Sequence, residues 1–143
     1  TLCFDYAQDP FSNTFHVTAA QNNEIDTLLA LAKTLRLRLV AITPDASALA
    51  NLLPAVAPAT CVAWRDDRQW LWAMRHQWGR RFTTEAENVS ELSALLALGS
   101  DDIALFDSRR DPWEILERCH APLPDRGADY TVALALAMSE VPG

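Results

Sequence analysis

The sequence predicts an α/β protein, a mixed sheet with flanking helices preceded by a small αβ subdomain. Three observations lead there. Short runs of alternating apolar and polar residues recur between turn-forming residues. Segments with a 3.6-residue apolar period stand between those runs, and a stretch of small residues carrying Pro54 and Pro58 separates two such groups. At 143 residues the chain buries about 68–70% of its unfolded surface, so it needs no staples to fold.

Taken in order, residues 2–6 and 14–19 alternate, and residues 8–13 between them are rich in turn formers, which predicts a hairpin. Asn22 or Asn23 then caps a helix. Ile25, Leu28, Leu29, Ala32 and Leu35 repeat at helical spacing, with Glu24 and Asp26 at the start and Lys33 and Arg36 at the end, as the helix dipole favours. Residues 38–42 read as an apolar strand. Thr43 caps and Pro44 opens a short helix through Ala46, Leu49 and Leu53 that Pro54 ends. The boundary between the two parts is placed at 55/56.

In the second part, residues 60–65 and 69–75 read as strands joined through Asp66-Asp67, Gly79 as a turn or bulge, and residues 80–84 as a third strand. Ser90 opens a helix bearing Leu92, Leu95, Leu96 and Leu98, closed by Gly99. Residues 102–106 form a short buried strand. A helix over 112–119 follows with Asp111 as its cap, then a last one over 129–138. That last helix is apolar on every side and is expected to lie deep in the packing. Three meander strands followed by helix, strand and helix is the ribonuclease H-like arrangement, which is also the core repeat of actin-like ATPases.

Composition narrows the function classes. The net charge of −7, with twelve basic residues spread thinly, argues against a nucleic-acid surface, since phosphate binding needs clustered Lys and Arg. Cys3, Cys61 and Cys119 are odd in number and far apart, which fits packed thiols in a reducing compartment better than a disulfide framework. No apolar run approaches 18 residues, so no bilayer-spanning helix is expected. The chain opens Thr1-Leu2-Cys3-Phe4 without Met and inside an apparent strand, which reads as a piece of a longer protein with no signal peptide here.

A family resemblance becomes specific along residues 13–81. Val17-Thr18-Ala19-Ala20-Gln21, Ala41-Ile42-Thr43-Pro44-Asp45-Ala46-Ser47-Ala48-Leu49, Ala63-Trp64-Arg65-Asp66, Gln69-Trp70-Leu71-Trp72-Ala73 and Trp78-Gly79-Arg80 resemble the HofM-like branch of the PilM family of type IV pilus assembly proteins. The resemblance implies the C-terminal part of an actin-like fold. Residues 1–55 would be the small inserted subdomain plus the return strand and helix of the first lobe, and residues 56–143 a ribonuclease H-like second lobe without its usual extra subdomain. It also implies a cytoplasmic location, peripheral to the inner membrane, in a pilus, competence or DNA-uptake complex. The implied partner is the cytoplasmic N-terminal tail of a PilN-like membrane protein, and family members usually hold ATP. Here the sequence departs from the family. The strand expected to open the second lobe carries Trp64 and no glycine, and the later one ends Phe106-Asp107-Ser108 without a glycine pair, so the backbone is poorly placed to approach phosphates. The expectation is therefore a non-enzymatic scaffold with no cofactor of its own. The alternative is an ATP-binding subunit whose phosphate loop precedes this segment.

Rival chemistries lack their patterns. A two-metal nuclease needs converging carboxylates, whereas Asp66 and Asp67 lie in a turn, Asp101 and Asp102 precede a strand, and Asp107 ends it. Cys119-His120 with His16 and His76 has no chelating spacing. Ser47, Ser90 and Ser108 have no glycine-flanked elbow. No catalytic or metal residue is assigned. Candidate partner-binding residues fall in two groups. Phe4, Tyr6, Phe15 and Val17 belong to the first hairpin, whose edge could accept an extended tail. Trp70 and Trp72 share one strand face, either as core under the last helices or as exposed anchors. For any single hairpin residue, the simpler expectation is packing against the helix carrying Ile25 to Leu35.

Overall fold

The computed structural model describes residues 1–8, 11, 13–116 and 122–139, with the His16 side chain left aside. It is an α/β structure that divides into two compact units, Thr1–Ile42 and Thr43–Gly143. The division falls earlier than 55/56 because Leu49 and Leu52, on the expected return segment, are fully buried in the core of the second unit.

In the first unit, β1 (Leu2–Gln8) pairs antiparallel with β2 (Phe15–Gln21), and α1 (Asn22–Thr34) follows directly. The N-cap position is Gln21, which makes no side-chain cap, rather than either asparagine. Residues 38–42 are not a strand. An extended apolar run pairs only where a neighbouring strand offers its backbone groups, and none does here among the described residues.

The second unit is a four-stranded sheet in the order β5-β4-β3-β6, formed by β3 (Cys61–Arg65), β4 (Gln69–Ala73), β5 (Trp78–Phe82) and β6 (Ile103–Phe106). The first three strands form an antiparallel meander, and β6 returns through α3 (Val89–Leu95) to lie parallel to β3. Alternation sends side chains to both faces, and both faces are covered. Val62, Leu71, Ala73 and Phe106 pack with Ala46 and Ala48 from α2 (Asp45–Ala48), Leu49 and Leu52 from the 3-10 turn Leu49–Val56 and Ala135 from α4 (Thr131–Ala137). Cys61, Ala63, Trp70 and Ile103 pack with Ala86 and Leu92 on the other side.

Several local expectations shift for identifiable reasons. Pro54 lies inside the 3-10 turn Leu49–Val56 instead of ending a helix. Gly79 sits within β5, not in a turn; a Cβ there would stand 2.7 Å from Trp72 Cζ2, so the glycine makes room for the indole. The residue that closes α3 in the left-handed region is Ala97, at φ 57°, with the Leu98 amide donating to Ser93 O; Gly99 instead N-caps the next turn, Ser100–Asp102. The cap of α3 is Asn88, whose Oδ1 accepts from the Glu91 amide at 3.0 Å. Only Pro112–Ile115 of the 112–119 segment is described as helical, in a 3-10 turn, while residues 117–121 lie outside the described residues. In α4, Thr131 and Ala135 are buried and Leu136 remains exposed, so the last helix covers the sheet with one side and is not enclosed.

The left-handed conformation costs a residue with a Cβ about 1–2 kcal/mol, and glycine's extra unfolded entropy returns about 0.5–1 of that. Ala97→Gly is therefore expected to raise stability by about 0.5–1 kcal/mol, read as a higher urea midpoint with an unchanged slope.

Candidate functional site

Two features of the described residues carry possible function: an apolar hairpin face in the first unit and a cleft at one end of the sheet in the second.

The hairpin face follows from strand alternation. Leu2, Phe4 and Tyr6 on β1 and Phe15, Val17 and Ala19 on β2 share one side, with Tyr6 directly opposite Val17 and Phe4 opposite Ala19. The rings of Tyr6 and Phe15 meet edge to face at 5.9 Å and 70°. Phe4, Tyr6, Phe15 and Val17 keep between 56% and 71% of their surface exposed. The expected packing of Phe4 and Phe15 against α1 does not occur. The half-covered residues of β2 are Thr18 and Ala20, on the opposite side, so α1 lies against the small, polar face and leaves the aromatic one open. Leu2 joins this face and was not singled out by the sequence, although its place in the same alternation was the available signal. No described residue of this unit is buried.

Trp70 and Trp72 are placed differently. Trp70 is 0% exposed, with its Nε1 donating to Ala86 O at 2.7 Å. This excludes an open anchor and makes it core. Trp72 is half-buried and shares that side of the sheet. Its Nε1 is enclosed and has no hydrogen-bond acceptor among the described residues.

The cleft, ≈ 620 Å³ in volume, opens at the C-terminal ends of the parallel strands β3 and β6, where α/β sheets commonly take ligands. Its lining is acidic. Six carboxylates (Asp66, Asp67, Glu87, Asp107, Asp111, Asp129) face three guanidiniums, those of Arg65, Arg109 and Arg126. Four amides in the turns beside it are engaged by the protein's own side chains. Asp66 Oδ1 accepts from the Arg68 and Gln69 amides at 2.8 and 2.9 Å. Asp107 Oδ1 accepts from the Arg109 amide at 2.9 Å, and Glu91 Oε2 from the Glu87 amide at 2.6 Å. Arg65 is fixed over the Trp70 ring at 4.9 Å and donates to Glu87 O at 2.7 Å. Amides closed in this way have no free N–H to offer a phosphate, and the surrounding carboxylates repel one.

The remaining chemical groups are structural or solvated. No cluster of three or more His, Cys, Asp or Glu able to hold a metal occurs among the described residues. Cys119 and His120 lie outside them. Cys3 is exposed and Cys61 buried, both as free thiols. Burial raises the Cys61 thiol from 9.0 to about 11, with a hydrogen bond from the Ala73 backbone acting the other way. Among the described residues no helix is long and apolar enough to cross a membrane.

No family model matches this sequence. Over 142 residues it is 44% identical to the DNA utilization protein HofM of Escherichia coli (strain K12), a match covering 98% of this chain. The chain spans 55% of that relative's length. The resemblance drawn from residues 13–81 is thereby borne out.

Two outcomes follow from the burial pattern. Trp70→Ala is expected to cost about 3–5 kcal/mol, whereas Phe4→Ala stays within about 0.5 kcal/mol, both by denaturant unfolding. An unfolded thiol ionises near 9 and the Cys61 thiol near 11, so this group's contribution is complete below pH 9 and lost as pH rises toward 11. The expected loss is about 2–3 kcal/mol across that window, and Cys61→Ala should flatten it in a pH series of urea midpoints.

Proposed function

We propose, from the premise that the chain is a homologue of HofM, that it is part of a non-enzymatic scaffold in a DNA-uptake or type IV pilus assembly complex, and that it works by docking a protein segment. The observation that carries this reading is the open aromatic face of the hairpin, Phe4, Tyr6, Phe15 and Val17, in a unit none of whose described residues is buried. An apolar sheet face of this kind is costly in water and favourable once a partner covers it. Side chains at alternate positions suit an extended or helical tail. The partner class is the cytoplasmic tail of a PilN-like single-span membrane protein, which would hold the scaffold at the inner membrane from the cytoplasmic side. The meander of β5-β4-β3 with β6 returning parallel to β3 supports an actin-like, ribonuclease H-like second lobe.

The alternative is an ATP-binding subunit, and the cleft's position at the ends of β3 and β6 favours it. Its acidic lining and engaged amides favour the scaffold instead. Fluorescent ATP titrated into the full-length protein is expected to show no saturable binding at millimolar concentration. Saturation abolished by a point change in the cleft would sink the scaffold reading.

The docking face is tested by pull-down of the full-length protein with the cytoplasmic tail encoded by its single-span membrane neighbour. Phe4→Ala and Phe15→Ala are each expected to weaken capture tenfold or more while leaving the unfolding midpoint in place. Undiminished capture by the double variant would reject the face.

A further inference from the structure

The sheet of the second unit ends at β5, and the backbone geometry of that edge is uneven. The Met74 amide donates to Gln77 O and the Thr83 amide to Arg68 O, so alternate residues Gln77, Gly79, Arg81 and Thr83 turn their main-chain groups toward β4. Trp78, Arg80 and Phe82 turn theirs outward. Glu85 closes the last of these: its Oε2 accepts from the Phe82 amide at 2.8 Å, and its own amide donates to Phe82 O at 2.9 Å. The N–H and C=O of Trp78 and Arg80 have no partner among the described residues. Sealing one outward residue and leaving the two beside it bare is unlike an edge that is protected throughout.

The side chains along this edge are unusual for so acidic a chain. Arg75, Arg80 and Arg81 fall within seven residues, beside Trp78 at 40% exposure. Arg80 is drawn onto α2 by Asp45 at 2.5 Å and Arg81 is held by Glu85 at 3.4 Å, whereas Arg75 has no ion pair among the described residues. A second copy pairing edge to edge would set these arginines against each other, which disfavours self-association.

We propose that β5 is a second docking site, distinct from the hairpin face, and that it takes an extended acidic segment of another protein by strand addition at Trp78 and Arg80. The incoming strand bonds both outward residues, placing an apolar side chain opposite Trp78 and, two positions on, a carboxylate opposite Arg80, on an edge to which Arg75 in the β4–β5 turn adds positive charge. The site reads main chain and charge, whereas the hairpin reads apolar side chains, so either can fail without the other.

The probe is a fluorescein-labelled octapeptide, Thr-Val-Thr-Glu-Thr-Val-Thr-Glu, in which valine and glutamate stand two positions apart, titrated into the full-length protein by anisotropy and by amide hydrogen exchange. Saturable binding is expected. Exchange at Trp78 and Arg80 should slow at least tenfold, while Gly79 and Arg81, already bonded to β4, stay unchanged. N-methylation of alternate peptide residues should weaken binding at least tenfold, and Arg75→Glu should move the preference toward a valine–lysine peptide. The proposal is overturned by unchanged exchange at Trp78 and Arg80, or by equal binding of the N-methylated peptide. Slowing in concentrated protein without peptide, reversed on dilution, would also overturn it in favour of a second copy.

Discussion

An indole brings a large apolar ring and one N–H that has to find an acceptor wherever the ring is buried, and this pairing organises the second unit. Trp64 and Trp70 lie on opposite faces of the sheet. Trp64 Nε1 donates to Ala128 O at 2.7 Å, across 64 positions of sequence, and Trp70 Nε1 donates to Ala86 O at 2.7 Å. Each ring enlarges one core, and each N–H fixes a loop at its margin. The Ala128 carbonyl also accepts from Thr131 Oγ1 at 2.7 Å, which ties the start of α4 to the same point. Removing either ring would open a core and release a loop together.

The cleft inherits its character from those fixed loops. Ala128 and Trp70 both line it, and the neighbouring turns close on themselves through Asp66, Asp107 and Glu91. A phosphate site needs amides held free at a turn, a conformation that glycine supplies most readily. Here the turns carry carboxylates that bond those amides internally. An acid at each of these turns both stabilises it and removes its capacity for anions. Trp64 acts less by blocking the cleft than by holding the segment around Ala128 against it.

Much of the second unit was legible in the sequence because its signals are local. Alternation placed β3, β4 and β6, and Asp66-Asp67 marked the turn between the first two. The sequence pattern places the strand after them two residues late, because Gly79 has the look of punctuation, whereas its reason is lateral, the Trp72 ring lying across it. Likewise Gly99 looked like the terminator of α3, but the chain turns left-handed at Ala97, where no residue type announces it. In the candidate site, the grouping of Phe4, Tyr6, Phe15 and Val17 was readable from strand period alone. Their exposure was not, because the period shows which residues share a face and not which face the helix covers. The tryptophans were ambiguous for a related reason: clustering in sequence says nothing about whether an acceptor such as Ala86 O waits inside.

The contrast between the two units is itself a functional argument. The second holds two cores and satisfies the indole N–H groups of Trp64, Trp70 and Trp113 internally, while the enclosed Trp72 Nε1 has no acceptor among the described residues. The first spans 42 residues, near the size below which a chain rarely folds without help, and none of its described residues is buried. Its apolar side chains are not a failed core, since they are sorted by strand alternation onto one aromatic face rather than scattered. In such a unit the free energy of covering that face and of ordering the hairpin are linked, because a partner that binds only the ordered form adds its binding energy to folding. Residues 38–42 extend the same logic: Leu39, Val40 and Ile42 are exposed, in a run without regular structure whose backbone groups have no partner among the described residues. A segment with an apolar surface and free backbone groups is incomplete by the measure of any isolated domain and well suited to assembly.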